Sequence, residues 1–157
     1  EIVYVYRRQD AGDVTATYKD DITGDVLHAP VVQSGTSKLG LPYDTEQKSF
    51  VNYDLIAVPA NKAGTFVTGS VLVEYKYKRQ DAGDVRVKHL NAITGASLAP
   101  DEVFSGVGKM GLPYTTAAKT AADLPNYELF GGIPANANGI FSATAQTVNY
   151  EYARKNA

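Results

Sequence analysis

Two histidines, His28 and His89, are the side chains best placed by ordinary pKa to move a proton near neutral pH. They do not stand at corresponding positions, and in this chain that matters because the sequence is written twice. Ile2, Tyr4 and Tyr6 return as Val73, Tyr75 and Tyr77, and the seven residues from Arg8 to Val14 are identical to those from Arg79 to Val85. Gly40-Leu41-Pro42-Tyr43 returns as Gly111-Leu112-Pro113-Tyr114, and Pro59-Ala60-Asn61 as Pro134-Ala135-Asn136. His28 aligns with Ala99, and His89 with Tyr18. A general base or metal ligand that belongs to a repeat should occur in both copies, so both histidines are read as structural or surface residues.

The acidic residues give the same answer. Asp20, Asp21 and Asp25 make an oxygen-rich stretch, but they lack the ligand spacing and closing Glu of a calcium loop and read as solvated turn residues. The second copy has Asn91 and Ala92 at the first two positions. Asp10 with Asp13, and Asp81 with Asp84, do recur. Glycoside hydrolysis needs two carboxyls across a cleft, and so small a unit has little room for one. These four are expected to brace the linker by accepting backbone hydrogen bonds. Ser34-Gly35 and Ser105-Gly106 lack the preceding Gly of a nucleophile elbow, and Gly106-Val107-Gly108 lacks the Lys-Ser/Thr of a phosphate loop. The absence of cysteine removes disulfides and thiolate chemistry. No enzyme activity, cofactor or metal is expected.

What remains is aromatic. There are 11 tyrosines and no tryptophan. A tyrosine ring can stack on the C–H face of a sugar while its hydroxyl bonds to sugar oxygens. Tyr75 and Tyr77 share a strand face with Val73, which is the pattern of core packing with the hydroxyl reaching a rim. Tyr43, Tyr53, Tyr114 and Tyr127 are less clearly internal and are the candidate ligand-binding residues, with interior packing as the competing reading.

The elements that must position these side chains are mostly strands. Val71, Val73, Tyr75 and Tyr77 alternate with Leu72, Glu74, Lys76 and Lys78, and Val148, Tyr150 and Tyr152 alternate in the same way. Val14, Ala16 and Tyr18 open one unit, and Val85, Val87 and His89 the other. Thr23-Gly24 and Thr94-Gly95 read as hairpin turns, followed by second strands over 25–33 and 96–104. Segments 44–50 and 115–123 are predicted as short helices, the latter on its alanines. Strands are then expected over 53–58 and 127–133, with the first and last strands of each unit side by side in mid-sheet. The order is an α+β arrangement.

Composition sets outer bounds. A formal charge of −2 with interspersed signs argues against a nucleic-acid partner. No apolar run is long enough for membrane insertion. The repeat divides the chain into 1–12, the end of a preceding repeat and its linker, then repeats over 13–80 and 81–157.

In order and spacing these motifs resemble the MucBP (mucin-binding protein) repeat of Gram-positive surface proteins. The second copy carries the resemblance through Val85, Val87, Thr94, Gly95, Ser105, Gly106, Gly111, Pro113, Tyr114, Thr116, Tyr127, Leu129, Pro134, Asn136, Gly139, Phe141, Val148, Tyr150 and Tyr152. The first copy matches through Val14, Gly24, Gly35, Pro42, Tyr43, Thr45, Tyr53, Leu55, Pro59, Asn61, Gly64, Phe66, Val73, Tyr75 and Tyr77. The resemblance implies two tandem ubiquitin-like β-grasp domains, each with one short helix. It implies an extracellular module of a cell-wall-anchored surface protein whose partners are mucin or other host glycoprotein glycans and neighbouring repeats. A structural spacer that holds another domain away from the wall is the alternative.

Overall fold

A computed structural model of the chain describes residues 1–156. It divides into two compact units, Glu1–Arg79 and Gln80–Ala157. The first contains β1 (Val14–Asp20), β2 (Val26–Gln33), β3 (Pro42–Asp44), β4 (Tyr53–Leu55), β5 (Ala63–Thr65) and β6 (Val71–Arg79). The second repeats the series as β7 (Val85–Asn91), β8 (Ser97–Phe104), β9 (Pro113–Thr115), β10 (Tyr127–Leu129), β11 (Asn138–Ile140) and β12 (Gln146–Arg154).

Each unit is built on a four-stranded sheet, ordered β2-β1-β6-β4 in one and β8-β7-β12-β10 in the other. The first and last long strands do lie side by side at the centre. β1 pairs parallel to β6 from Val14↔Val71 to Asp20↔Tyr77, and β7 pairs parallel to β12 from Val85↔Gln146 to Tyr152↔Asn91. Flanking strands pair antiparallel. A two-stranded ribbon, β3 with β5 or β9 with β11, completes each unit. The β1–β2 turn contains Gly24 at φ 76° and the β7–β8 turn Gly95 at φ 70°, as the Thr-Gly pairs predict.

Period two decides the core. Val14, Ala16 and Tyr18 of β1 and Val73, Tyr75 and Tyr77 of β6 share one face and are fully buried, as are Val85, Val87, His89, Val148, Tyr150 and Tyr152 in the second unit. Tyr43 and Phe66 cover this face in one unit, and Tyr114, Ala137 and Phe141 in the other. Each fully buried valine contributes about 1.5–3 kcal/mol from apolar burial. Ile2, Tyr4 and Tyr6 have the composition of this face, but β6 already holds that place in unit 1. The three side chains lie exposed, in a segment that forms no strand.

The α+β, ubiquitin-like β-grasp expectation needs correction: among the described residues there is no helix, and both units are all-strand. The reason lies in the core tyrosines. In segment 44–50 the Tyr75 hydroxyl donates to Thr45 O at 3.1 Å, Tyr18 to Glu46 O at 2.8 Å and Tyr77 to Lys48 O at 2.7 Å. Those are the carbonyls a helical turn would have used for its own amides. The Thr45 amide itself donates to Lys62 O. In segment 115–123 the Thr116 amide donates to Ala137 O, and the Lys119 amide donates to the Tyr152 hydroxyl. Only one tight turn survives, with Leu124 N donating to Thr120 O and the Asp123 carboxylate accepting from the Thr120 amide. Alanine propensity is a weak prior beside such tertiary bonds. The strands expected over 53–58 and 127–133 are also shorter, ending at Leu55 and Leu129.

Candidate functional site

The four candidate tyrosines occupy two kinds of place. Tyr43 of β3 is 8% exposed and Tyr114 of β9 is 5% exposed. Tyr43 meets Phe66 edge-on at 5.7 Å and donates its hydroxyl to Asn61 O at 3.1 Å. Tyr114 meets Phe141 at 5.5 Å and donates within reach of Asn136 O and of Gln146 Oε1 at 3.0 Å. Each ring lies across a glycine of the partner strand. A Cβ on Gly64 would stand 2.9 Å from the Tyr43 hydroxyl oxygen, and one on Gly139 would stand 2.6 Å from that of Tyr114. Both rings are thus walled in, with little surface left for a ligand.

Tyr53 and Tyr127 sit at the edge of the large sheets, on β4 and β10, and are half-buried. The Arg79 guanidinium lies 4.6 Å from the Tyr53 ring centre and donates to its hydroxyl at 2.7 Å. Arg154 lies 6.0 Å from the Tyr127 ring centre. The Asp20 carboxylate lies near enough to the Tyr53 hydroxyl for each to affect the other's protonation. Asp20, Tyr53 and Arg79 therefore form one cluster, while Tyr43 belongs to the separate ribbon. Burial raises the pKa of Tyr53, partly opposed by Arg79. The sequence does carry a signal for this arginine: Arg8 and Arg79 each follow a Tyr-x-Tyr, and Arg154 does so again two residues after Tyr152.

Asp20 is buried and caps a turn. Its carboxylate accepts from Ile22 N at 2.8 Å and Thr23 N at 3.0 Å. Asn91 does the same in the second unit for Ile93 N and Thr94 N. A neutral amide serves as well as a carboxylate there, so the role shared by the two copies is that of a turn cap. Burial works to raise the Asp20 pKa, but the amide donors, Tyr53 and Arg79 hold it below the usual range.

The repeated aspartates brace the segment in front of each unit. Asp10 and Asp13 accept from Ser37 N and Gly35 N, and Asp81 and Asp84 accept from Gly108 N and Gly106 N, all at 2.7–2.9 Å. Gln9 O accepts from Leu39 N, and Gln80 O from Met110 N. The identical stretch is therefore docked onto the unit that follows it.

The histidines part company. His28 is exposed on β2, its Nδ1 2.6 Å from Ala29 O. His89 is fully buried and stacks on Tyr150 with ring centres 5.6 Å apart, as Tyr18 stacks on Tyr75 at 5.2 Å. The Tyr152 hydroxyl accepts from Lys119 N at 2.7 Å and donates to His89 Nδ1 at 2.9 Å. Nε2 is then the donor toward Glu102 Oε1 at 3.3 Å, and Glu102 also pairs with the Lys119 ammonium. Hydrogen bonding and charge from Lys119 hold the Glu102 carboxyl below its ordinary range despite burial. In the first unit Tyr18 replaces the histidine and Val31 replaces the glutamate. The two changes go together, which marks the network as a core substitution with its own compensation.

A family model for the MucBP domain matches residues 13–78 and again 84–153. The chain belongs to the MucBP domain family. Among curated proteins it is 36% identical over 156 residues to internalin J of Listeria monocytogenes serovar 1/2a, covering 96% of this chain and 17% of that protein. It is 38% identical over 144 residues to internalin J of serotype 4b, covering 90% and 15%. The chain thus spans about a sixth of the length of these relatives. Among solved structures it is similar to SHIRT domains 3-4 from a cell surface protein, with TM-score 0.44, 9% identity and coverage of 93% and 99%. It is also similar to the type 2 repeat of the mucus binding protein MUB from Lactobacillus reuteri, with TM-score 0.32, 16% identity and coverage of 92% and 100%.

Proposed function

We propose that these two MucBP units form a non-enzymatic adhesion module on the outside of a Gram-positive cell, binding the glycans of mucin or other host glycoproteins. Within it, 13–80 and 81–157 are the repeats, and 1–12 closes and links a preceding one, since Ile2–Tyr6 repeats the pattern of Val73–Tyr77. The observation that carries the reading is membership of the MucBP family by both copies. The fate of the reactive side chains supports it: His89, Asp20 and the four linker aspartates are all committed to hydrogen bonds that hold the fold. Of the four tyrosines, Tyr53 and Tyr127 retain exposed surface suited to a sugar. Affinity per unit is low, and tandem copies raise it by about 10²–10⁴ where geometry lets them engage together. Surface plasmon resonance over immobilised mucin tests the reading, with saturable binding as the expected result and no binding as the result against it.

A spacer is the second reading, favoured by the repetition of one scaffold, whose shared aspartates Asp13 and Asp84 are spent on bracing each unit. It predicts no glycan affinity in the same experiment.

A further inference from the structure

The loop after the third strand of the large sheet is one place where the copies diverge. In unit 1, Leu55 leads through Ile56, Ala57 and Val58 to Pro59; in unit 2, Leu129 leads through Phe130, Gly131, Gly132 and Ile133 to Pro134. The extra residue comes with two glycines in the left-handed region, at φ 74° and 86°. Backbone of that kind is open to glycine at no steric cost. The loop is nonetheless anchored, because Phe130 N donates to Glu151 O of β12 at 2.8 Å. Phe130 stays 55% exposed and Ile133 71% exposed. On β12, Asn149 and Glu151 occupy the outward positions between the buried Val148, Tyr150 and Tyr152. Loop and strand enclose an open hollow of about 270 Å³, lined by Phe130, Gly131, Gly132, Ile133, Asn149 and Glu151 among others.

We propose that this hollow is a binding subsite for an uncharged pyranose. The proposal rests on the glycan-adhesion reading and gives it a face. An exposed ring offers a platform for the C–H face of a sugar. A carboxylate and an amide beside it supply acceptors and a donor for neighbouring hydroxyls, and the two glycines let the ligand approach the backbone. The hollow presents more polar than apolar surface, which suits a hydroxyl-rich ligand held against one ring. Charge decides the class: the Glu151 carboxylate opposes uronates, sialates and sulfated sugars and leaves neutral ones. Unit 1 keeps the anchoring bond, from Ile56 N to Lys76 O at 3.0 Å. It has isoleucine for the ring, Lys76 for Glu151 and Glu74 for Asn149, so the subsite belongs to unit 2 alone. Loops on a shared scaffold are where binding functions diverge.

The test is NMR titration of the isotopically labelled two-unit chain with methyl β-galactoside, methyl N-acetylglucosaminide and methyl galacturonide. The neutral sugars are expected to shift resonances of Phe130–Ile133, Asn149 and Glu151 with millimolar affinity, as suits so small a ligand, and the uronide is expected to shift none. Phe130→Ala should weaken binding by about tenfold, the loss expected of one well-placed ring, with an unchanged melting temperature. Glu151→Gln should admit the uronide. Shifts confined to other residues, equal affinity of Phe130→Ala and the parent chain, or no neutral-sugar binding would each overturn the subsite. Mucin binding by the parent chain that Phe130→Ala leaves intact would do so while preserving the adhesion reading. Sugar binding in the loop without mucin binding would preserve the subsite and remove the adhesion reading.

Discussion

His89 shows what a buried polar group requires. Its Nδ1 is satisfied by the Tyr152 hydroxyl and its Nε2 by Glu102, while the hydroxyl accepts from the Lys119 backbone amide and the Lys119 ammonium pairs with Glu102. Removing the ring by His89→Ala leaves a void and a Tyr152 hydroxyl proton without its acceptor, and should cost about 2–4 kcal/mol in chemical denaturation. His89→Tyr alone places a phenol beside Glu102, whereas His89→Tyr with Glu102→Val restores the pairing of the first unit. The double variant should therefore be more stable than the sum of the two single changes implies, by about 1 kcal/mol or more in a double-mutant cycle. Glu102 also carries an acid dependence. Its pKa is lowered by Lys119 in the fold. The stability it contributes is present above the ordinary glutamate value of about 4.3 and is lost as pH falls through the lowered value. Glu102→Gln should flatten that acid limb in unfolding midpoints measured from pH 5 to 2.5. None of this was visible in the sequence beyond the mismatch of His89 with Tyr18, because the compensating Val31-to-Glu102 change lies on a different strand and only strand pairing brings it near.

At the scale of elements, alternation made the long strands legible: β1, β6, β7 and β12 could be read from Val, Tyr and Lys positions, along with their central placement. The helices expected over 44–50 and 115–123 could not be corrected locally, since the bonds that hold those segments extended come from Tyr18, Tyr75, Tyr77 and Tyr152, far away in sequence. Tyr43 and Tyr114 were ambiguous for the same reason. Whether such a ring faces sugar or core depends on Gly64 and Gly139, which lie on the partner strands of the ribbon. The docked segment before each unit explains the longest identity. A Cβ on Gly106 would stand 2.3 Å from Ala82 O, and one on Gly35 2.4 Å from Ala11 O, whereas Gly95 has open space around it. Gly106→Ala should cost about 3 kcal/mol through overpacking against backbone. Gly95→Ala should cost about 1–2 kcal/mol, from its left-handed conformation alone. Equal losses in thermal unfolding would show that the segment is not docked as described.

For the molecule as a whole, repetition was the most informative feature of the sequence, because a fixed order of motifs carried the family resemblance that no single motif could. It was also misleading in one respect. Asking which chemistry recurs in both copies separates structural residues well, but it passes over a loop such as Phe130–Ile133, whose ring and two glycines occur in one copy only. The shared residues turn out to build a scaffold, and the module's proposed activity rests on weak contacts multiplied along the chain. That claim is tested most directly by surface plasmon resonance of the two-unit chain over intact mucin and over the same mucin stripped enzymatically of its glycans. Binding to the intact surface that disappears on deglycosylation is the expected result. Equal binding to both surfaces would contradict it, and binding to neither would transfer the weight to the spacer.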